Sequence, residues 1–364
     1  MKLREIQEGE VKLKIPDVKK PEQGEVFYNP IMEMDRNISV CLLPLLSGVL
    51  NKKRSEIKAL DALSATGVRA LRYTKETKIN THANDANPKA FELIKKNAKL
   101  NNAEMTITEE DANIVLRKNK FDFIDIDPFG SPVPFLDSAA RSFPKEGFLA
   151  VTATDTAPLC GTYPKVCLRR YGIKSFKPDY YNELGIRILI SSMIRAFAKY
   201  EKKFMPYLSY SRRHYFRVYG KIESGVKKVN DSLKEFGYMS HCFNCGWRAK
   251  SLEKACPVCG AKTEFCEVYL GKIQNKNFLN LLAKQLQKRM LVKEENFIQK
   301  IDEELASPFY YDIHYICKKS GKQIKKTDYI ISRLKPLGFK ASRTHFCPTA
   351  IKTDADFEKM IKII

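Results

Sequence analysis

The chain has 364 residues, enough for two domains that each bury a core, and its hydrophobic share of 44% is that of a globular protein. Its 64 Lys and Arg exceed its 42 Asp and Glu by 22 charges, an excess typical of proteins that bind polyanions such as nucleic acids. The sequence contains no run of about 20 apolar residues that could span a bilayer and no signal-peptide core. We therefore expect a cytoplasmic protein, whose ten cysteines are thiols or metal ligands and not disulfides.

The first half of the chain alternates short apolar strands with helices. Strands are predicted at 57–61, 79–83, 105–108, 121–127 and 148–155. One helix begins near Val68, and another runs from Pro88 to about Leu100 behind the N-cap residue Asn87. This alternation implies an α/β fold with a parallel sheet covered on both faces. In such folds the ligand lies at the carboxyl ends of the strands.

Four acidic residues fall at or just beyond successive strand ends, namely Asp61, Asp85, Asp111 and Asp127. Any one of them could simply cap a helix, but four along one sheet edge outline a continuous crevice. Asp85 follows the first loop by about twenty residues, where dinucleotide folds place the acid that binds ribose hydroxyls. Asp111 and Ala112 lie one strand further along, where we expect the amino group of an adenine.

The loop after the first strand distinguishes between cofactors. A nicotinamide dehydrogenase needs a glycine-rich G-x-G-x-x-G loop there so that a pyrophosphate can approach the backbone, but residues 62–69 contain only Gly67. A crevice lined by acids suits S-adenosylmethionine better, because this cofactor carries a sulfonium and an α-ammonium beside its single carboxylate. Arg69, at the start of a helix, could hold that carboxylate with two hydrogen bonds. A surface position for Arg69 is the alternative that the sequence leaves open.

The fourth predicted strand stops abruptly on Asp127, Pro128 and Phe129. These residue types suit an exocyclic amine, whose lone pair is delocalised into a nucleobase ring. Asp127 can accept one N–H, the Pro128 carbonyl can accept the other, and Phe129 can stack on the ring. The alternative is a strand end closed by an ordinary turn. Upstream, Phe27 and Arg36 lie in a segment that could fold over the crevice as a lid.

Four cysteines form the clearest motif of the second half. Cys242, Cys245, Cys256 and Cys259 have the spacing C-x2-C-x10-C-x2-C, which suits a tetrahedral structural Zn(II) site. Unrelated buried cysteines, or iron in place of zinc, are the alternatives. Cys266 lies nearby but outside the motif.

The rest of the second half predicts a mixed α+β module. Residues 195–221 interleave basic and aromatic side chains, a mix that can grip phosphates and stack bases. We favour the alternative of a helix and an antiparallel strand pair with the aromatics inward, which is compatible with the basic residues facing RNA. Helices are expected at 280–289, 293–305 and 325–335, a strand at 310–317, and a turn or strand at 343–346. We expect His345 to be structural or to contact phosphate.

Several motifs taken together give the chain a family resemblance. They are residues 26–30 (VFYNP), residues 61–69 (DALSATGVR), residues 127–132 (DPFGSP), and Cys160 with Gly161. This ordered set resembles the tRNA guanine-26 N2-dimethyltransferases of archaea and eukaryotes over nearly the whole chain. In place of the Asn-Arg-Asp that we expect around Arg36, this sequence has Asp35 and Asn37, so the flanking residues are exchanged.

The resemblance implies a fold, a reaction and roles for the site residues. It implies a class I, Rossmann-like methyltransferase domain over residues 1–237, including the lid, and a smaller zinc-ribbon domain that binds tRNA over residues 238–364. S-adenosylmethionine would donate one or two methyl groups to N2 of guanine 26, without an obligatory protein partner. Asp127 would be the catalytic acid or base, with Pro128 beside it and Phe27 and Phe129 clamping the ring. The cofactor contacts would be Arg36, Asp61, Arg69, Asp85, Asp111 and Ala112.

Other functions are compatible with the same residues. An N-methyltransferase could use the Asp-Pro-aromatic chemistry on adenine, on cytosine or on a glutamine side chain. A non-enzymatic RNA-binding protein with a degenerate cofactor fold, or a structural zinc protein, would lack methyl transfer altogether. Methyl acceptance by tRNA, DNA and protein separates these alternatives.

Overall fold

The computed structural model describes residues 2–364, which begin with an arm that precedes the sheet. An antiparallel hairpin of β1 (Leu3–Glu8) and β2 (Val11–Pro16) is followed by helices α1 (Glu33–Leu42) and α2 (Leu46–Leu50). Apolar residues alternate along β2, so one face of the hairpin is buried and the other is solvated. The hairpin therefore docks as a flap on the helices that cover the sheet.

The central layer is a seven-stranded sheet. Its strands and the helices between them are β3 (Lys58–Asp61), α3 (Val68–Thr77), β4 (Asn80–Asn84), α4 (Pro88–Leu100), β5 (Thr106–Thr108), α5 (Ala112–Lys118), β6 (Phe123–Ile126), α6 (Val133–Ser142), β7 (Glu146–Ala153), α7 (Thr156–Leu159), α8 (Pro164–Tyr171), α9 (Tyr181–Ala198), β8 (Lys202–Arg212) and β9 (Tyr215–Ser224). The strand order is β5-β4-β3-β6-β7-β9-β8. The five strands β3–β7 are parallel, and β9 is antiparallel to both of its neighbours.

This sheet confirms the α/β architecture that the alternating pattern predicts. β6 is buried on both faces, because helices cover both sides of a parallel sheet. α4 begins as expected, since the Asn87 side chain accepts a hydrogen bond from the Lys89 amide and Pro88 occupies the first helical turn. The β8–β9 pair completes the sheet, and most of its aromatic side chains point inward, as predicted.

The second half adds two small sheets and six helices. These elements are α10 (Val226–Leu233), β10 (Phe236–His241), β11 (Arg248–Ala249), β12 (Glu264–Tyr269), α11 (Lys276–Lys288), α12 (Val292–Asp302), β13 (Tyr311–Asp312), α13 (Ile313–Ser320), α14 (Thr327–Leu334), β14 (Ala341–Arg343), β15 (Ala350–Thr353) and α15 (Phe357–Ile363). One sheet has the order β11-β10-β12 and the other β13-β15-β14. The predicted helices at 280–289, 293–305 and 325–335 correspond to α11, α12 and α14.

The strand predicted at 310–317 is wrong for most of its length. Only Tyr311 and Asp312 are in a strand, and a helix follows directly. The Asp312 carboxylate accepts a hydrogen bond from the His314 amide and so caps α13, while Ile313 and Ile316 are buried on one side of the helix. The three-residue spacing of the apolar positions is helical, and the cap decides the outcome.

The two halves of the chain share buried contacts. Residue 237, our expected boundary, lies inside β10, and the neighbouring strand β12 packs against α9 of the first half. Buried Arg248 bonds Asp179 across this junction at 2.6 Å. The division at residue 237 therefore remains a prediction about folding units. Among the described residues, no helix combines the length and apolar composition needed to cross a bilayer.

Candidate active site

Asp127 lies directly after β6, at the carboxyl edge of the sheet. Its Oδ2 accepts a hydrogen bond of 2.5 Å from Nη2 of Arg69, and its side chain is 22% exposed while that of Arg69 is 6% exposed. Burial would raise the pKa of Asp127, but the charges of Arg69 and Arg217 outweigh it and lower that pKa below its usual value. Asp127 is thus an ionised carboxylate that solvent can reach.

A buried ion pair that the sequence analysis missed supports this carboxylate. Two residues before Asp127, Asp125 accepts two hydrogen bonds from Arg217 of β9, at 2.8 and 2.7 Å, and one of 2.7 Å from the Tyr73 hydroxyl. The side chains of Asp125 and Arg217 are both fully buried. An acid inside an apolar strand was the available signal, because a buried charge needs a partner.

Arg217 therefore corrects one expectation. The basic residues of 195–221 were expected to face RNA, but the Arg217 guanidinium points into the core and lies 4.6 Å from the centre of the Tyr219 ring. Lys202 is also engaged internally, because its Nζ donates to the Ala140 and Phe143 carbonyls. Sequence patterns mark a residue as charged but do not show which face of a strand it occupies.

Arg69 lies between the solvent-accessible Asp127 and the buried Asp125. Besides Asp127, its Nη1 donates to the Ser39 hydroxyl at 3.2 Å and its Nε lies 3.8 Å from Asp125. Arg69 is buried, so the surface alternative is wrong. The expected contact between Arg69 and a cofactor carboxylate remains a prediction, since Nη2 of its guanidinium group already donates to Asp127.

Asp61, at the end of β3, is the most unusual acid of the crevice. Its Oδ2 is buried and has no hydrogen-bond partner among the described residues. Burial, together with the nearby charges of Asp125 and Asp127, raises the pKa of Asp61 to about 7, although Arg69 opposes this. An acceptor without a donor is the group that a bound ammonium or hydroxyl would satisfy, so the crevice fits S-adenosylmethionine.

Two aromatic rings border Asp127. Phe129 is 77% exposed, and its ring centre lies 4.7 Å from that of Phe27 in an edge-to-face arrangement. The turn beneath them is fixed by Gly130, whose amide donates to the Thr154 hydroxyl and whose carbonyl accepts from the Thr154 amide. An exposed apolar ring of this size is often a binding surface, and the expected clamping of a planar ligand by this pair remains a prediction. Pro128, which lies between Asp127 and Phe129 in the chain, is buried.

Arg36 lies on the flap side of the site. Its guanidinium binds Glu8 of β1 through two hydrogen bonds, at 2.7 and 2.5 Å, and donates to the Asn29 carbonyl at 3.2 Å. Glu8 also accepts from Arg72 at 3.0 Å. Burial would raise the pKa of Glu8, but these arginines lower it. Arg36 thus anchors the lid segment to the hairpin, and its expected cofactor contact remains a prediction.

Asp85 and Asp111 both accept hydrogen bonds from backbone amides. Asp85 accepts from the Ala65 amide at 2.7 Å and from the Asn87 amide at 2.9 Å, which shapes the loop after β3. Asp111 caps α5 by accepting from the Asn113 amide at 2.7 Å, and Ala112 begins that helix. Both acids lie on the crevice edge, as expected. Their contacts with ribose and adenine remain predictions.

The four predicted metal ligands come together in the ribbon formed by β10–β12. The Sγ atoms of Cys242, Cys245, Cys256 and Cys259 all lie within 4.8 Å of one another. Two of the pairs are separated by 3.5 and 3.6 Å. A tetrahedral site with Zn–S bonds of about 2.3 Å needs sulfur separations of about 3.8 Å, so the thiols can hold Zn(II). With four ligands the site is closed, which makes its role structural.

His345 is buried, as its structural alternative requires. Its amide and its Nδ1 both contact the Glu304 carboxylate, with an Nδ1–Oε1 distance of 2.5 Å. Lys352 lies 3.8 Å from the same glutamate. The His345 side chain is 1% exposed, which supports the structural alternative over a contact with phosphate.

The fold and the site define a class. A seven-stranded sheet with one reversed strand, carrying an acid-lined crevice at the carboxyl ends of its strands, is typical of Rossmann-like methyltransferases. A family model described as N2,N2-dimethylguanosine tRNA methyltransferase matches residues 9–364. The chain therefore belongs to that family, and the resemblance noted in the sequence is confirmed.

Individual relatives agree over the full length. A tRNA (guanine(26)-N(2))-dimethyltransferase of Methanosarcina acetivorans is 40% identical over 99% of this chain and 98% of its own. A tRNA (guanine(26)-N(2)/guanine(27)-N(2))-dimethyltransferase of Aquifex aeolicus is 37% identical over 98% of this chain and 94% of its own. The solved structure of Trm1 from Pyrococcus horikoshii with S-adenosyl-L-methionine is 36% identical, with a TM-score of 0.89 over 100% of both chains.

Proposed function

We propose that this chain is an S-adenosylmethionine-dependent methyltransferase that adds one or two methyl groups to N2 of guanine 26 in tRNA. Full-length membership of the family supports this proposal, as do relatives named for that reaction. The observation that carries it is local: the ionised Asp127 stands beside the exposed Phe129–Phe27 platform at the carboxyl edge of the sheet.

Each residue of this arrangement has a task in amine methylation. S-adenosylmethionine, when bound, supplies a methyl group already activated as a sulfonium. Asp127 and the Pro128 carbonyl accept the two N–H groups of the guanine amine and orient its lone pair, and Asp127 takes the proton released as the new N–C bond forms. Phe27 and Phe129 hold the plane of the flipped base. Arg69 keeps Asp127 ionised until the proton arrives.

The crevice residues complete the proposal for the cofactor. Asp61, Asp85 and Asp111 with Ala112 lie along the edge where ammonium, ribose and adenine groups would find acceptors. Arg69 and Arg36 supply the nearby positive charge for a carboxylate. Measuring cofactor affinity in Asp85→Ala and Asp111→Ala tests whether these two acids contribute to cofactor binding at all.

The C-terminal half is suited to the body of the tRNA. Exposed lysines cluster around the end of α13 and the start of α14: Lys318, Lys319, Lys322 and Lys326. Lys319 donates to the Phe243 carbonyl of the zinc ribbon, so the ribbon and this basic surface are held together. Such surfaces bind RNA largely by shape and phosphate charge. A tRNA substrate also supports the cytoplasmic location that we propose.

Methyl transfer from labelled S-adenosylmethionine to tRNA transcripts tests the proposal. We expect N2-methylated guanosine in a wild-type transcript and none when guanine 26 is changed to adenine. Asp127→Asn should lower kcat by about 100-fold or more, since it removes the proton acceptor, while calorimetric cofactor binding is retained.

The controls distinguish the alternatives. Label that persists in the adenine-26 transcript would place the target elsewhere, and near-normal turnover by Asp127→Asn would remove its catalytic role. A wild-type protein that binds S-adenosylmethionine but methylates neither transcript would point to another amine substrate. A protein that binds no cofactor would be a non-enzymatic RNA-binding protein.

A further inference from the structure

The helix α8 (Pro164–Tyr171) presents an exposed face that the proposed chemistry does not use. We call Tyr163, Lys165, Leu168 and Arg169 the α8 face. Tyr163 is 57% exposed and Leu168 is 51% exposed, and both cations are exposed as well. Lys165, Leu168 and Arg169 are three and four residues apart, so their side chains share one side of the helix.

Hydrogen bonds join α8 to the catalytic loop. The Asp155 carboxylate accepts from the Tyr171 hydroxyl at 2.5 Å and from Arg170 at 3.0 Å. The neighbouring Thr154 exchanges two hydrogen bonds with Gly130, at 2.6 and 3.0 Å. Gly130 directly follows the exposed Phe129, so α8 is fixed beside the platform that receives the base.

The turn that leads into α8 is held rigidly. Gly161 has φ of 86°, in the left-handed region, and a Cβ there would lie 2.1 Å from the backbone of Phe176. The Cys160–Gly161 motif noted in the sequence therefore has a structural reason. It lets the chain pass close to Phe176 and presents Tyr163 to solvent in a defined position.

The charge of the α8 face is uncompensated. α8 contains no acidic residue, and neither Lys165 nor Arg169 has an ion-pair partner among the residues that the structure describes. Arg170, by contrast, is bound to Asp155. Basic residues near a helix C-terminus interact favourably with its dipole, which could account for Arg169. That effect explains neither Lys165 in the first turn nor the exposed ring of Tyr163.

We propose that the α8 face binds the RNA strand that flanks the target nucleotide. Lys165 and Arg169 contact its phosphates, and Tyr163 stacks on a neighbouring base or packs against its sugar. A nucleotide flipped out of a helix needs its flanking phosphates held, because the gap that it leaves must be kept open. This inference rests on the proposed tRNA methyltransferase function and assigns it a second contact beside the catalytic loop.

The double variant Lys165→Glu with Arg169→Glu tests the proposal. We expect the KM for tRNA to rise roughly tenfold or more. The slope of log K for tRNA binding against log salt concentration should become shallower by the equivalent of about two phosphate contacts. Binding of S-adenosylmethionine and the thermal unfolding midpoint should stay unchanged, because both side chains are exposed. Tyr163→Ala should raise the KM for tRNA with no change in the salt dependence.

The matched control is Lys284→Glu with Lys288→Glu. These exposed lysines lie on α11 with the same four-residue spacing, and the change of charge is identical. α11 ends at Lys288, and the next residue, Arg289, bonds Glu76 near the end of α3, on the side of the sheet where the parallel strands begin. A KM and salt dependence in the α8 variant equal to those of wild type or of the α11 control would overturn the inference. Absence of methyl transfer by the wild-type protein would instead reject the proposed function.

Discussion

The carboxyl edge of the sheet at Asp127 and the ribbon of β10–β12 differ in how far apart along the chain their contacting residues lie. Beneath Asp127, the side chains that contact one another come from distant parts of the chain: Asp125 and Arg217 are 92 residues apart, and Arg69 and Asp127 are 58 residues apart. In the ribbon, all four thiols fall within 18 residues, from Cys242 to Cys259.

This difference predicts how each region fails. A ribbon held by a metal and by local chain geometry should unfold locally when the ion is removed. The charged layer under Asp127 depends on the neighbouring strands of the whole sheet. A single substitution there should therefore affect both the global stability and the ionisation of the site.

Zinc removal should have the largest effect. The chain has one tryptophan, Trp247, which is 7% exposed and packs in the same cluster as Cys242 and Cys256. Structural zinc contributes on the order of 10 kcal/mol to small ribbons. Chelation should therefore shift the Trp247 fluorescence to longer wavelength, while S-adenosylmethionine binding by calorimetry is retained.

Two serine variants provide the control for zinc. Cys256→Ser should lose the metal and reproduce the chelated spectrum. Cys266→Ser, at a buried cysteine outside the cluster, should keep one zinc per chain. Unchanged Trp247 fluorescence after complete removal of the metal would show that the ribbon does not depend on it.

Arg217→Met should have the next largest effect. It leaves Asp125 buried without its ionic partner, which typically costs about 3–5 kcal/mol of unfolding free energy. Because the Arg217 charge also helps to lower the pKa of Asp127, its loss should raise that pKa. The acid limb of the kcat profile should then move to higher pH.

The double variant Arg217→Met with Asp125→Leu separates stability from ionisation. Replacing both charges should restore much of the unfolding free energy, measured by urea denaturation and circular dichroism. An acid limb at the wild-type pH in the single variant would show that Arg217 is only structural.

Asp61→Asn should have a smaller and pH-dependent effect. The folded pKa of about 7 lies above the ordinary value of 3.8, so the folded state binds this proton more tightly than the unfolded state. The contribution of protonated Asp61 to the unfolding free energy is therefore complete below about pH 4 and is lost as the pH rises through 7. Without cofactor, the unfolding free energy of Asp61→Asn should exceed that of wild type by roughly 2–4 kcal/mol between pH 5 and 8.

The control is an acid of the same crevice that lacks the charged surroundings of Asp61. Asp125 and Asp127 raise the pKa of Asp61, and Arg69 lowers it. Asp85→Asn serves as the matched variant, since its carboxylate is half-buried and bonded to backbone amides. A stability difference for Asp61→Asn that does not change between pH 5 and 8 would contradict the raised pKa.

The sequence by itself determined what depends on local spacing. Strand and helix alternation gave the parallel sheet, Asn87 and Pro88 gave the start of α4, and the paired cysteines gave the metal site. Each of these patterns depends on residue types at short, regular spacings, so its physical cause can be read along the chain. The Asp127–Phe129 segment also stood out, because an apolar strand that stops on an acid, a proline and an aromatic has residue types that suit an exocyclic amine.

Only the tertiary structure decided what depends on strand neighbours. Arg217 looked like one more basic residue for RNA, but the pairing of β9 with β7 turns it toward Asp125. Asp61 looked like its neighbours on the crevice edge, but the fold leaves one of its oxygens unpaired. Residues 313–317 are helical where a strand was expected, since the Asp312 cap outweighs the β-propensity of the segment. Burial and charge pairing are set by which distant segments meet, and no local pattern carries that information.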